Sequence, residues 1–152
     1  MNDNQSITRN VKDFFKYRYD NYLSLSSETS SLRSINFGNT AVSHSMQTDS
    51  QQRIYLRIMD AQKIIKSVDD AIESCRNDTE HPYRKILTLR YIQHRSTVYV
   101  ISQLSFEKTF YYRNLLPNTL IEFANKFLVK QLVNGVENII DLTASTAVKS
   151  IV

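Results

Sequence analysis

Between positions 107 and 113 the chain sets two cations, two hydroxyls and a carboxylate close together: Glu107, Lys108, Thr109, Tyr112 and Arg113. Spaced by one, three or four residues, they share one face of a helix. Their chemistry is that of phosphates and base edges. A guanidinium at Arg113 forks onto guanine or onto a phosphate, whereas the Lys108 ammonium acts as a point charge on a nucleic-acid backbone. Thr109 offers a methyl to thymine or a hydroxyl to phosphate, and Tyr112 can donate to a phosphate oxygen. Glu107 opens this outward face, and Arg95, in a turn upstream, adds another cation to the set. Phe110 lies at the margin, as core or as an apolar base contact.

The charge distribution agrees with this chemistry. The whole chain of 152 residues carries a net +4, yet residues 81–130 alone hold eight Lys and Arg against two acids, a net of +6. The first 80 residues and the last 22 are each close to neutral. Positive charge confined to one third of a chain is the footprint of a phosphate-binding face, although a solvated basic surface carries the same signature.

Such a face needs elements that hold it. Thr97–Leu104 reads as a helix of about two turns, Ser105-Phe106-Glu107 as a tight connection, and 108–116 as a second helix. Two short helices so joined form a helix-turn-helix, with residues 107–116 as the recognition helix in the major groove. Ile101, Leu104, Phe106, Tyr111 and Leu115 supply the apolar wedge between them. Ser105 stands where many such turns carry glycine.

The run Ile86-Leu-Thr-Leu-Arg-Tyr-Ile92, then Thr109-Phe-Tyr-Tyr-Arg113 and Phe123-Ala124, resembles the ArpU-type regulators of late genes in phages of Gram-positive bacteria. These regulators look like the DNA-binding fourth region of sigma factors. The resemblance covers residues 51–130, most strongly 84–124. It implies a transcriptional regulator acting on a phage or mobile-element promoter, with Lys108, Thr109, Tyr112 and Arg113 on the recognition helix. RNA polymerase or another regulatory protein is the implied protein partner.

The remaining sequence predicts an all-α helical bundle. With two Gly and two Pro in the chain, tight turns are few. Residues 1–25 carry an amphipathic helix from Ser6, with Ile7, Val11, Phe14, Phe15, Tyr22 and Leu25 on one side. Residues 26–50, rich in Ser, Thr, Asn and Gln, read as a flexible linker, with 34–37 as a candidate for local docking. A loop of that length favours a separate N-terminal helix over a tight bundle, although packing onto the next helix is the simpler role for its aromatic side. Asp49 or Ser50 can cap a helix running to Arg76, on which Ile54, Ile58, Ala61, Ile65, Val68, Ile72 and Cys75 form a heptad seam. Such a seam suits intrachain packing or a homodimer. The DNA-binding unit then spans 51–134, with Pro82 in the first turn of a helix over 83–93 and Ser96 as a cap. Pro117 predicts a break or kink, and Asn134-Gly135 a stop. The tail, 135–152, reads as a short dimerising helix or a frayed end.

Several function classes are disfavoured. Cys75 is the sole cysteine, so no internal disulfide or thiolate cluster can form. His44, His81 and His94 have no companions at metal-ligand spacing, and no glycine-rich phosphate loop exists. We therefore expect no enzyme and no cofactor or metal, but a soluble protein of the bacterial cytoplasm with no membrane partner. A homodimer on double-stranded DNA is expected, since one short helix reads only a few base pairs. The competing class is a non-catalytic protein-interaction module, and single-stranded nucleic acid comes third.

Overall fold

Helix-forming periodicity without strand-like alternation gives an all-α chain: the described residues form five helices and no strand. The computed structural model describes residues 2–28 and 45–145, with the backbone alone at 45–48. The local docking expected at 34–37, the side chain of His44, most of the predicted linker and the last seven residues lie outside the described residues.

Helix α1 covers residues 3–26. It starts three residues earlier than its apolar period suggests, because Asn2 and Gln5 form a reciprocal capping box. The Gln5 N–H donates to Asn2 Oδ1 at 2.8 Å, and the Asn2 N–H donates to Gln5 Oε1 at 3.3 Å. Helix α2, Ser45–Ser74, likewise begins ahead of Asp49 and Ser50, which therefore lie within the helix and do not cap it. Its seam is buried from Ile58 to Cys75, with Ile65 half-buried, and Ile64 and Ala71 widen the buried stripe. Ile54, by contrast, is 49% exposed.

Helix α3 occupies residues 83–92 and ends through His94, which adopts a left-handed backbone at φ +56°. The Arg95 N–H closes that end by donating to the Leu89 carbonyl at 2.8 Å. Helix α4, Thr97–Ser102, is capped by Ser96, whose hydroxyl accepts the Tyr99 N–H at 3.1 Å. Helix α5 runs through residues 108–134 without interruption.

Of the break or kink that Pro117 predicts, the break is absent, since the helix continues through the proline. A widened turn over Tyr111–Leu115 lies directly ahead of it, and the Leu116 N–H reaches back five residues to the Tyr111 carbonyl. Such a turn relaxes the i→i−4 ladder where the proline lacks a donor and its ring needs room. Leu116 keeps a helical backbone, φ −64° and ψ −50°, despite preceding proline. Similar wide turns occur at Phe14–Arg18 in α1 and at Thr88–Ile92 in α3.

One core joins these helices. Phe15 of α1 stacks on Tyr91 of α3, with ring centroids 4.6 Å apart, and meets Phe123 of α5 at 5.2 Å. Phe14 contacts Phe127 at 5.2 Å, and Ile64, Val68 and Ile72 close the same cluster from α2. Helix α1 is thus seated in the bundle, through the aromatic side its spacing marks out.

Helix α5 ends at Gly135, φ +74°, where the Val136 N–H donates to the Gln131 carbonyl at 3.1 Å. Beyond it, residues 136–145 form neither a helix nor a frayed end. They are strapped along the bundle. Buried Gln131 pairs both ways with the Ile140 backbone, each bond 2.8 Å. Asp60 of α2 accepts the Glu137 N–H at 2.7 Å, and Asn10 of α1 donates to the carbonyls of Leu142 and Ala144 at 3.0 and 2.8 Å. Val136, Ile140 and Leu142 add apolar anchors.

Candidate nucleic-acid interface

The backbone of Glu107 is extended, φ −74° and ψ 157°, and its carbonyl accepts the Tyr111 N–H at 2.9 Å, which starts α5. Five residues, 103–107, join α4 to α5, two more than the connection inferred from sequence. Lys85 braces this connection by donating from Nζ to the Gln103 carbonyl at 3.0 Å.

From that start the first turns of α5 separate into two sides. Tyr111 and Leu115 are buried, whereas Glu107, Lys108, Thr109, Tyr112 and Arg113 are exposed. Ile101, Leu104 and Phe106 pack half-buried against the same core that buries Tyr111 and Leu115. Val100 of α4, absent from the expected wedge, is fully buried in that core. Its position one residue before Ile101 hides it from a reading that takes a single stripe.

Among the described residues, neither Lys108 nor Arg113 has a hydrogen bond or an ion pair, so both cations face solvent undirected. Not every basic residue of the 81–130 segment is free in this way. The Arg84 guanidinium donates to the Glu73 carbonyl at 2.7 Å and Lys85 holds the loop, so these two act within the fold. Arg95 belongs to the α3–α4 turn and not to the α5 face. It is exposed, and its guanidinium lies 4.5 Å from the Tyr99 ring centroid.

Phe110 is 41% exposed and stacks on Phe106 at 5.0 Å, which makes it a rim residue between core and surface. Tyr112 stands edge-on against Tyr111 at 5.3 Å with 47% of its surface exposed. Asn114, which the spacing argument leaves out, is also exposed beside Arg113. An amide there adds a donor and an acceptor of the kind that pairs with adenine.

Tyr111 carries the one unusual electrostatic feature of the wedge. Its hydroxyl is buried with no hydrogen-bond partner among the described residues. Burial pushes the phenol up to about 12, with the nearby Tyr91 phenol adding to the effect and Arg90 opposing it. Because the folded chain resists forming the phenolate that the unfolded chain forms above its value of 10.0, stability is unaffected by this group below pH 10 and falls as the pH rises from 10 towards 12. Tyr111→Phe removes a hydroxyl that folding strips of water, so we expect it to stabilise the neutral-pH fold by about 1 kcal/mol. Urea unfolding at neutral and alkaline pH checks this, and the variant should also lose less stability above pH 10.

No other chemistry is assembled nearby. Cys75 is buried and its thiol is pushed up to about 12 by burial, which leaves it a poor nucleophile at neutral pH. The described residues contain no group of three or more His, Cys, Asp or Glu able to hold a metal, and no helix long and apolar enough to cross a membrane. No protein-family model matches the chain, and comparison with curated proteins and with solved structures finds no match.

Proposed function

We propose that this chain is a sequence-specific duplex-DNA-binding regulator of transcription, with α4 and the first turns of α5 acting as a helix-turn-helix. One observation carries the reading: unpartnered Lys108 and Arg113, with Thr109 and Tyr112, form the exposed side of a helix whose other side is clamped by Tyr111 and Leu115. A clamped helix presenting free cations and hydroxyls has the geometry of a major-groove reader. In this reading Arg113 forks onto guanine, Lys108 and Tyr112 hold phosphates, and Glu107 discriminates by accepting from cytosine. Arg95 adds charge beside the groove.

The resemblance to ArpU-type, sigma-region-4-like regulators points to a phage or mobile-element promoter in a bacterial cytoplasm, with RNA polymerase as the contact through which binding acts. We propose that two copies bind together. Val129, Leu132 and Val133 of α5 are 53%, 64% and 73% exposed at helical spacing, a stripe suited to pairing. The same stripe supports the second reading, a protein-interaction module without DNA specificity.

An electrophoretic shift on duplex DNA from the neighbouring locus, at two salt concentrations, separates these readings. We expect binding that weakens steeply with salt, and an Arg113→Ala variant weakened by about 1–3 kcal/mol with relaxed sequence preference. Wild-type protein that shows no salt-dependent binding would favour the interaction module. An Arg113→Ala variant as tight and as selective as wild type would remove the assignment of the reading helix.

A further inference from the structure

Beside the wedge lies a cleft that no sequence segment announces. It encloses about 530 Å³ between α1, the end of α3 and the α4–α5 unit. Lys12 and Lys16, one turn apart on α1, face Arg90 of α3 across it, and no Asp or Glu lines it. The Lys16 ammonium lies 5.1 Å from the Tyr17 ring, and Arg90 makes a long bond of 3.4 Å to the Arg95 carbonyl. Among the described residues none of these three cations has a carboxylate partner. Three cations and no carboxylate around one recess give it a positive potential that favours an anion.

Two walls give the cleft its context. Its base is the Phe15–Tyr91 ring stack, which fixes the spacing of α1 from α3. Thr97 and Leu116, one from each helix of the proposed reading unit, line its other side. Leu116 follows Tyr112 by four residues along α5, so the cleft continues the reading face without a gap in the chain.

We propose that this cleft takes the phosphodiester backbone of the duplex flanking the base pairs read by α5, with Lys12, Lys16 and Arg90 on the phosphates. The proposal rests on the DNA-binding reading above and extends it to α1. Three cations contributed by two different helices suit successive phosphates better than a single small anion. The geometry also gives α1 a binding role that its own near-neutral sequence segment conceals.

The test uses the full chain, as wild type, as Lys12→Gln/Lys16→Gln, and as the control Arg53→Gln/Lys66→Gln, which removes the same charge from α2. Affinity for a flanked duplex is measured across a salt series, beside the same duplex trimmed to the read base pairs. Each phosphate contact contributes about 0.9 to the slope of log affinity against log salt, so the cleft variant should lose about 1.8 from it. At 0.1 M salt that corresponds to a roughly 60-fold weaker complex. The control should keep the wild-type slope, and wild type should lose its advantage over the cleft variant on the trimmed duplex. Each single lysine variant should give about half the effect, which guards against a double variant that folds poorly.

A cleft variant with the wild-type slope overturns this proposal and leaves the reading helix standing. An equal loss in the control, or inorganic phosphate competing at millimolar concentration while flanks make no difference, overturns it too, the latter in favour of a free-anion site. Wild type that binds neither duplex overturns both the cleft and the reading on which it rests.

Discussion

Phe15→Ala is expected to lower the unfolding free energy by about 3–5 kcal/mol, the cost typical of emptying a large aromatic site in a packed core. For a chain of this size the melting temperature should fall by on the order of 10 °C. Phe15 is only 6% exposed and touches rings from three helices: Tyr91 at 4.6 Å, Phe123 at 5.2 Å and its own neighbour Tyr19 at 5.4 Å. Few alternative rotamers of those rings can fill the space, because Phe123 is itself stacked on Phe127 at 5.4 Å. Calorimetry would also test how α1 is held. A single transition moved downward fits an α1 that shares the core, whereas an unmoved main transition would show α1 melting on its own.

The second large effect is expected from Gln131→Leu, which keeps the side chain's bulk and removes its polarity. The loss should be about 2–3 kcal/mol, because the Ile140 N–H and carbonyl are left without the partners that allowed their burial. Replacing a buried hydrogen-bonding pair by apolar groups is harmless only when both sides change together, and here one side is backbone. Amide hydrogen exchange gives the direct readout. Ile140 should lose its protection along with its neighbours in 136–145, while the amides of α2 keep theirs. Retained protection at Ile140 would mean that the apolar anchors Val136 and Leu142 hold the strap unaided.

How far the sequence foretold these features depends on whether the signal is local. The α2 stripe from Ile58 to Cys75 was legible because burial repeats with the helical period, and it failed at Ile54 because period alone does not say which turns are covered. The split of α5 into buried Tyr111 and Leu115 against exposed Lys108 and Arg113 followed from the same rule. Pro117 does not break the helix because its cost is a property of a regular helix, and the wide turn at Tyr111–Leu115 makes the helix locally irregular. The strap was illegible for a different reason. Residues 136–145 carry no period, and what orders them is supplied by Asn10, Asp60 and Gln131. Counting charge by segment likewise hid the cleft, since Lys12 and Lys16 belong to the stretch of the chain that nets close to zero.

The strap has a consequence in time. Asn10 clasps the carbonyls of residues 132 and 134 positions downstream, among the longest spans a chain of this length offers. At ribosomal speeds of about 5–20 residues per second, roughly 7–27 s separate the synthesis of Asn10 from that of its partners. For most of that interval the ring-rich side of α1 lacks α5, so Phe14 and Phe15 wait for Phe127 and Phe123. Local turns in α2 through α5 can form early, but the clasp has to come late. The molecule is therefore most vulnerable at its N-terminal end while it is being made, and safest once its C-terminal strap has closed.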